Sequence, residues 1–443
     1  MINVQRKCII NELYKGRSTK MLLEFSCSNH KSIRKDVLFS ALAGTDTTKI
    51  EDTKEFGKYH VLKSAVIYGA NGSGKSNFLD AISFVKNLVL NSIHHQPGQG
   101  IRQVPFKTEG YEVPSVYKIQ FVIDNIRYVY QFSLKQMLVE DEYFYFFPNG
   151  KQKKVFERHG DTFTAGRSYR GKFDSCKDVL KPNRLMLSCA ANFSTVHEVE
   201  EAYQFFRDDI VIYGDNLQDN WMNYSLHAID SNATLKNTVI TFMQELGMGV
   251  KDIAIKIDQS TPEPNDIPPF LAPEFREKLL NAPMDRIDAK VVYDNFDTNL
   301  IGEESNGVKK LFAFLCPLID IIVNGKVLIC DELESGLHEA LVYGLLKMFM
   351  TTDSGDKFPQ LFFTTQDTGL LNLDMFRRDQ IWFTELKEDR STDLYSLAEI
   401  QNVRKDENIR KGYINGKYGA IPMLNLNFEN IILSMNVSKT KTL

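Results

Sequence analysis

A glycine-rich stretch near the N-terminus has the residue types needed to hold phosphate groups. It runs from Gly69 to Ser76 as GANGSGKS and matches the pattern GxxxxGK[ST] in full. Glycines let the backbone N–H groups point at phosphates, beside the positive end of the following helix. Lys75 would meet the β- and γ-phosphates, and the Ser76 hydroxyl would bind Mg²⁺. The predicted nucleotide-binding residues are Asn71, Gly72, Ser73, Gly74, Lys75, Ser76 and Asn77.

Two adjacent acids follow an apolar run much later in the chain. The segment 326–332 reads KVLICDE and predicts a buried strand that ends in Asp331 and Glu332. Parallel sheets bind ligands at the carboxyl ends of their strands, so both carboxylates would face the phosphates. Asp331 would hold Mg²⁺ through water, and Glu332 would act as the general base on the attacking water. Taken alone, two acids in this place could be only a helix N-cap.

Three further segments surround these acids. Ser305-Asn306-Gly307 opens a predicted helix, which by itself indicates no more than an N-cap. The stretch 333–338, LESGLH, directly follows the acids. Gln366 ends a later apolar run, 361–365, where its amide could orient a water or contact a phosphate.

Hydrophobic periodicity predicts the elements that position these residues. Apolar alternation from Met21 predicts a first strand, 65–68 a buried strand, and the residues from Ser76 onward a helix. Residues 117–173 are rich in strand patterns, and residues 195–285 are mostly helical in pattern, with an exposed proline-rich loop at 261–270. The predicted organisation is an extension (1–20), a first core segment (21–100), a β-rich subdomain (101–185), a mostly helical insertion or lid (186–288) and a second core segment (289–443).

Composition limits the classes of protein that remain. The net charge of −4 excludes an overall polycation, so any nucleic-acid contact must come from a local patch. Six cysteines without a CxxC pair indicate neither a zinc site nor a disulfide framework. No apolar run approaches the roughly 20 residues that cross a bilayer. We therefore expect a cytoplasmic protein without a membrane partner.

The order of these motifs resembles a known family. The phosphate loop, long insertion, Ser305–Gly307 segment, acid pair, LESGLH loop and Gln366 are similar to the RecF-like and SMC-like ABC ATPases. The segments NRLMLSCAANF (183–193) and YINGKYGAIP (413–422) are typical of stand-alone bacterial AAA-type ATPases, including AriA of PARIS and, more distantly, PtuA of Septu. This resemblance implies an α/β P-loop NTPase of ABC-ATPase type, with a β-rich subdomain and a mostly helical lid.

The resemblance also implies how the site is completed. ATP would lie between two subunits of a homodimer or larger homo-oligomer, with Ser305, Asn306 and Gly307 of one subunit contacting ATP on the other. Asn306 and Val308 depart from the usual signature. A histidine is usual at the position of Gln366, and glutamine cannot become a cation. We therefore expect slow hydrolysis, with Glu332 and Gln366 as the catalytic residues.

The family contains several kinds of function. The interpretation we favour is an ATP-dependent switch, the sensor or scaffold subunit of an anti-phage defence system that controls a separately encoded effector such as a nuclease. The alternative is a RecF-like DNA repair or maintenance ATPase that binds DNA in an ATP-dependent way. A transporter-like ABC subunit is disfavoured by the long insertion and the missing membrane cues.

Two basic stretches are the candidate DNA contacts. They are Lys151–Lys154 with Arg158, and Gly166–Phe173, both predicted on hairpins of the β-rich subdomain. Cations mixed with aromatics suit a surface that follows a nucleic-acid backbone. A solvated loop edge is the interpretation we prefer, because the chain as a whole is acidic.

Overall fold

The computed structural model describes residues 19–214, 218–261, 276–277, 280, 284–352, 356–404 and 407–422. Of the N-terminal extension predicted for residues 1–20, residues 1–18 lie outside the described residues. The same is true of residues 262–270 of the proline-rich loop and of residues 423–443 of the second core segment.

Strands and helices alternate in a mixed order along the described chain. The strands are β1 (Lys20–Ser28), β2 (Val37–Ser40), β3 (Thr53–Phe56), β4 (Tyr59–Leu62), β5 (Ser64–Tyr68), β6 (Ser115–Ile123), β7 (Ile126–Lys135), β8 (Leu138–Phe147), β9 (Lys153–His159), β10 (Thr162–Ala165), β11 (Ile210–Tyr213), β12 (Asp252–Ser260), β13 (Met284–Val292), β14 (Asp297–Asn299), β15 (Val327–Cys330), β16 (Gln360–Thr364), β17 (Ile381–Leu386) and β18 (Thr392–Ser396). The α-helices are α1 (Lys75–Asn91), α2 (Met186–Phe193), α3 (His197–Gln204), α4 (Gln218–Ser231), α5 (Ala233–Glu245), α6 (Asn306–Asn324), α7 (Glu339–Thr351) and α8 (Ile409–Ile414).

A six-stranded sheet carries the predicted phosphate loop. Its strand order is β11-β15-β16-β5-β17-β18. The first five strands are parallel, and β18 returns antiparallel to β17. Strands β5, β15 and β16 are buried along their whole length, as expected for short apolar runs covered on both faces. The predicted α/β P-loop fold is confirmed.

Each face of this sheet packs into a separate hydrophobic cluster. Ala65 and Ile67 of β5 join a cluster with α1 and the second large sheet. Val66 and Tyr68 point the other way and join a cluster that contains the buried faces of α4, α6 and α7. Alternate residues of one strand therefore stabilise two layers, which fixes the start of the phosphate loop between them.

The second large sheet is antiparallel and has the order β10-β9-β8-β7-β6-β1-β2. Residues predicted in the first core segment, β1 and β2, thus share one sheet with the predicted β-rich subdomain. The side-chain amide of Gln360 joins the two large sheets. It accepts a hydrogen bond from the Leu22 N–H at 2.6 Å and donates to the Leu22 carbonyl at 3.0 Å. These bonds fall where the β1–β6 register shifts between Leu22 and Glu24.

The predicted insertion is mostly helical among its described residues, but it also contains strands. Helices α4 and α5 form there, but β12 and β13 pair with β14 in a three-stranded sheet, and β11 joins the core sheet. The sequence DIAIKIDQS of β12 alternates apolar and polar residues, which is a strand period. Helix α4 packs on α6, where the buried Ser225 hydroxyl donates to the Ala313 carbonyl at 2.9 Å.

No helix among the described residues is long and apolar enough to cross a membrane. The five described cysteines are buried and form no disulfide among the described residues, namely Cys27, Cys176, Cys189, Cys316 and Cys330. Burial raises the pKa of the Cys316 thiol to about 11, so this thiol stays protonated and packs as a small apolar group.

Candidate nucleotide site

The glycine-rich loop leaves β5 and ends in the first turn of α1. Gly74 has a φ of 105°, and a Cβ added there would lie 2.0 Å from the Thr392 hydroxyl oxygen. A Cβ at Gly69 would lie 2.3 Å from the hydroxyl oxygen of Thr384. Only glycine fits at these two positions, because the loop is pressed against β17 and β18.

A network of hydroxyl groups holds the outer side of the loop. Ser73 Oγ lies 2.6 Å from Thr384 Oγ1, and Thr392 donates to the Ser73 carbonyl at 2.8 Å. Because the single Thr392 proton is used there, Ser32 must donate to Thr392 Oγ1 at 2.7 Å, and Ser32 accepts from the Asn77 amide at 2.7 Å. The network thus fixes the loop through side chains from β18, β17 and the turn after β1.

Lys75 lies inside the loop and is 5% exposed. Its ammonium donates to the carbonyls of Gly69 at 2.7 Å and Ala70 at 3.3 Å. Burial lowers the pKa of Lys75, and the carboxylates of Glu332 and Asp331 oppose that shift. The carboxylates of the acid pair therefore lie close enough to Lys75 to affect the pKa of its ammonium group.

One threonine positions both predicted acids. Thr364 Oγ1, at the end of β16, donates to Asp331 Oδ1 at 2.5 Å and accepts from the Glu332 N–H at 2.8 Å. Glu332 has a φ of 47°, in the left-handed region that a side chain disfavours. The hydrogen bond to Thr364 holds Glu332 in that conformation. Thr364 is itself fixed, because it lies on β16, which is completely buried.

Replacing Thr364 by Val should lower kcat for ATP hydrolysis about 10- to 100-fold, because it releases both acids from their positions. ATP affinity should change little. The measurement is steady-state ATPase activity beside a direct binding titration. Thr364→Ser keeps the hydroxyl and should restore most of the rate. Equal rates in the Val and Ser variants would contradict this role of the hydroxyl.

Gln366 contacts the acid pair directly. Its side-chain amide donates to Glu332 Oε1 at 3.0 Å, and its backbone N–H donates to Glu334 Oε1 at 2.6 Å. The residue at this position is therefore bonded to the predicted general base. It supplies a neutral donor, and no positive charge.

The predicted signature packs against the loop that directly follows the acids. Ser305 caps α6 by accepting from the Val308 N–H at 3.3 Å, and both Ser305 and Asn306 are exposed. A Cβ at Gly307 would lie 3.1 Å from the Gly336 carbonyl, so this helix start packs on the LESGLH loop. The structure thus brings Gln366 into hydrogen-bond contact with Glu332. Among the described residues of this one subunit, no hydrogen bond joins Ser305 to the phosphate loop.

An open cavity of about 510 Å³ adjoins the hydroxyl network. Its lining combines the start of β2 with the β17–β18 hairpin and includes Lys35, Asp36, Lys387, Asp389, Thr392 and Asp393. The cavity therefore begins where Thr392 contacts the loop. Sequence reasoning missed Ser32, Thr364, Thr384 and Thr392, because hydroxyl residues are common and these four are distant from one another in the chain.

The predicted basic patch needs one correction. Arg158 is 2% exposed and donates to the carbonyls of Arg184 at 2.6 Å and Gly160 at 2.8 Å. It is a buried structural residue, so its prediction as a DNA contact is wrong. Lys154 is paired with Glu157 at 2.7 Å, and the second basic stretch follows β10 in short 3₁₀ turns instead of a hairpin.

Comparison with known proteins identifies the family. The model of the family described as "AAA domain, putative AbiEii toxin, Type IV TA system" matches residues 64–175 and 261–372, which together make up half of the chain. These ranges include the phosphate loop, the signature segment, the acid pair and Gln366. No curated protein matches the chain.

Solved structures with similar backbones include two SMC heads and one recombination protein. The SmcHead bound to the C-winged helix domain of ScpA has a TM-score of 0.42 and 14% identity, over 85% of this chain and 97% of that chain. The SMC head domain from Thermotoga maritima has a TM-score of 0.39 and 11% identity, over 85% and 98%. The recombination mediator protein RecF with ATP has a TM-score of 0.36 and 17% identity, over 85% and 100%. The family model alone supports the assignment: the chain belongs to this AAA-domain family.

Proposed function

We propose that this protein is a molecular switch that binds and slowly hydrolyses ATP. The observation that carries the proposal is the direct bonding of Gln366 and Thr364 to the acid pair beside Lys75. A phosphate loop alone could bind many anions. A phosphate loop that faces a positioned carboxylate base is suited to phosphoryl transfer to water.

The residues divide this work between them. Lys75 would give up its carbonyl contacts for the phosphates, and the backbone N–H groups from Asn71 to Ser76 would complete the cradle. Glu332 would accept the proton of the attacking water. The cavity beside Thr392 would receive the nucleoside.

The donor types fit Mg²⁺. The described residues contain no cluster of three or more His, Cys, Asp or Glu side chains suited to a metal ion. Mg²⁺ at such sites takes one or two protein oxygens beside phosphate oxygens and water, so no such cluster is needed. The Ser76 hydroxyl and Asp331 would hold the ion, Asp331 through water. When bound, the ion neutralises charge on the phosphates.

Slow hydrolysis is expected because the residue at the switch position, Gln366, is neutral. Gln366 places a neutral amide against Glu332, where a histidine could have carried positive charge toward the γ-phosphate. Bound ATP would then persist, and the ATP-bound state would itself be the signal.

We further propose that the site is completed by a second copy of the chain. The exposed start of α6 offers free backbone N–H groups and a positive helix end, which suits a γ-phosphate on another subunit. Its packing against the LESGLH loop would link that contact to the acid pair of its own subunit.

Mixing two inactive variants tests this arrangement. Lys75→Ala and Ser305→Arg should each be inactive alone, and mixing should return part of the ATPase activity, because one composite site in the mixed dimer is intact. Subunit exchange, followed with two affinity tags, is the control. A covalently linked dimer with one impaired site shows whether a single site works alone. No recovery despite exchange and a competent single site would contradict a shared site.

For the biological role, we propose the sensor or scaffold subunit of an anti-phage defence system in the cytoplasm, with a separate effector. Its support is the family description, which names a putative toxin of a Type IV TA system, and the sequence resemblance to AriA and PtuA. The five described thiols are buried and form no disulfide with one another, which suits a reducing compartment.

A binding experiment separates this role from DNA maintenance. The purified protein is mixed with the product of the adjacent gene, and separately with duplex DNA, each with and without MgATP. Nucleotide-dependent binding of the gene product, without DNA binding, supports the defence role. Salt-dependent DNA affinity that requires ATP, without a protein partner, supports a RecF-like function instead.

A further inference from the structure

The segment Tyr413–Pro422 contacts the phosphate loop, although the proposed function gives it no role. The Ala70 N–H, at the second position of the loop, donates to the Ala420 carbonyl at 3.0 Å. Ala420 is 2% exposed, so this bond is shielded from water. The loop is therefore held at its beginning by a residue 350 positions later in the sequence.

The Ala420 carbonyl is itself fixed from several sides. The Tyr413 hydroxyl donates to the same oxygen at 3.0 Å, and the Ala420 N–H donates to Glu385 Oε1 at 3.2 Å. Ala420 has a φ of 58°, and a Cβ on Gly419 would lie 2.7 Å from the Tyr395 hydroxyl. A residue with this backbone does not orient its carbonyl by local preference, so the surrounding bonds must do it.

Aromatic packing makes this segment rigid. Phe383 of β17 stacks with Tyr413, with ring centroids 5.6 Å apart, and with Tyr418 at 6.0 Å. The Tyr418 hydroxyl donates to Glu407 Oε1 at 2.7 Å. Buried, stacked rings whose hydroxyl groups are hydrogen-bonded have little conformational freedom left to lose when a ligand binds. Such rings form a rigid support for a binding loop.

The preceding helix reaches the other side of the site. Arg410 Nε, on α8, donates to Thr368 Oγ1 at 3.3 Å. Thr368 lies two residues after Gln366. Residues 409–422 therefore connect the start of the phosphate loop with the loop that carries the switch glutamine.

We propose that Tyr413 is a positioning residue for ATP binding, acting through the Ala420 carbonyl on the phosphate loop. The Ala70 N–H is engaged by Ala420, and the Ser73 N–H donates to the Ala70 carbonyl at 3.1 Å, so these bonds fix the start of a preorganised cradle whose remaining N–H groups would face the phosphates. This inference rests on the proposed ATP site. By linkage, ATP that orders the loop must also order residues 409–422.

The test compares Tyr413→Phe with Tyr203→Phe. Both changes remove a hydroxyl that donates to a backbone carbonyl, but Tyr203 donates to Leu90, at the far end of α1 from the loop, at 3.3 Å. Tyr413→Phe should raise the Kd for MgATP about five-fold, the usual effect of one lost hydrogen bond. The kcat at saturating ATP should stay within about two-fold of wild type, because the acid pair is untouched. Tyr203→Phe should change neither quantity.

Hydrogen exchange on the wild-type protein gives a second readout that needs no variant. Exchange of the amides in residues 409–422 should slow when MgATP is added. An unchanged Kd in Tyr413→Phe, or unchanged exchange in this segment, would overturn the inference if the wild-type protein binds MgATP. Absence of MgATP binding by the wild-type protein would instead overturn the proposed function.

Discussion

The Glu332→Gln variant is expected to bind ATP and to hydrolyse it about 100- to 10,000-fold more slowly than wild type. The amide keeps the shape of the side chain but cannot accept a proton from water. Since Gln366 donates to Glu332 Oε1, an amide oxygen in that place can keep the contact. Binding should therefore survive while the chemical step fails, and ATP should accumulate in the closed assembly.

Single-turnover hydrolysis and the oligomeric state in ATP, measured together, check this expectation. Glu157→Gln is the matched control, because Glu157 lies on β9 and pairs with Lys154 and Tyr145, away from the site. Hydrolysis by Glu332→Gln at the wild-type rate would show that another group is the base. Loss of ATP binding would show that the carboxylate acts in binding instead.

The Lys75→Ala variant is expected to bind ATP about 10- to 100-fold more weakly, because a buried cation that faces the phosphates is lost. The ammonium already lies inside the loop on the Gly69 and Ala70 carbonyls, so it needs only a small movement to reach an anion. Affinity for ATP is measured by calorimetry.

Lys63→Ala is the control for destabilisation. Lys63 is also buried and also donates to two carbonyls, those of Met350 and Thr352. It should lower the melting temperature without a comparable loss of affinity. If Lys75→Ala keeps the wild-type Kd for ATP, the phosphate-loop assignment is wrong.

The parallel core could be predicted because each of its signals is local. The segments SAVIY and VLIC are short apolar runs, followed by the glycine-rich loop in one case and by Asp331 and Glu332 in the other, which mark the sheet edge. The carboxyl ends of parallel strands meet at one edge, so Lys75 and Glu332 could be placed together without a structure.

The supports of the site could not be predicted in the same way. The supporting hydroxyl groups belong to three strand residues, Thr364, Thr384 and Thr392. The pairing of these strands in the sheet determines which hydroxyl contacts which loop, and no short sequence pattern encodes strand pairing. Arg158 illustrates the opposite error. A basic residue in a basic stretch indicated the surface, but its guanidinium is buried, where it donates to backbone carbonyls and lies 4.0 Å from Glu142.

The strands within the predicted insertion were missed for a related reason. The strands β12 and β13 carry several charged residues on alternate positions, and Lys256 pairs with Asp258 on one face of β12. Polar residues on one face lower the apolar content of such a strand, and helices dominate the rest of the region. The pairing of β13 with β14 stabilises the strand conformation, which local propensity alone does not determine.

The order of strands in the core sheet has a consequence during synthesis. Strand β5, which leads into the phosphate loop, pairs only with β16 and β17. The hydrogen bond from Thr384 to the Tyr68 carbonyl spans 316 residues. At a ribosomal rate of about 5–20 residues per second, the loop waits roughly 15 to 60 s for its neighbours. A nascent chain therefore carries the complete phosphate-loop sequence long before β17 can pair with β5 and hold the loop in place.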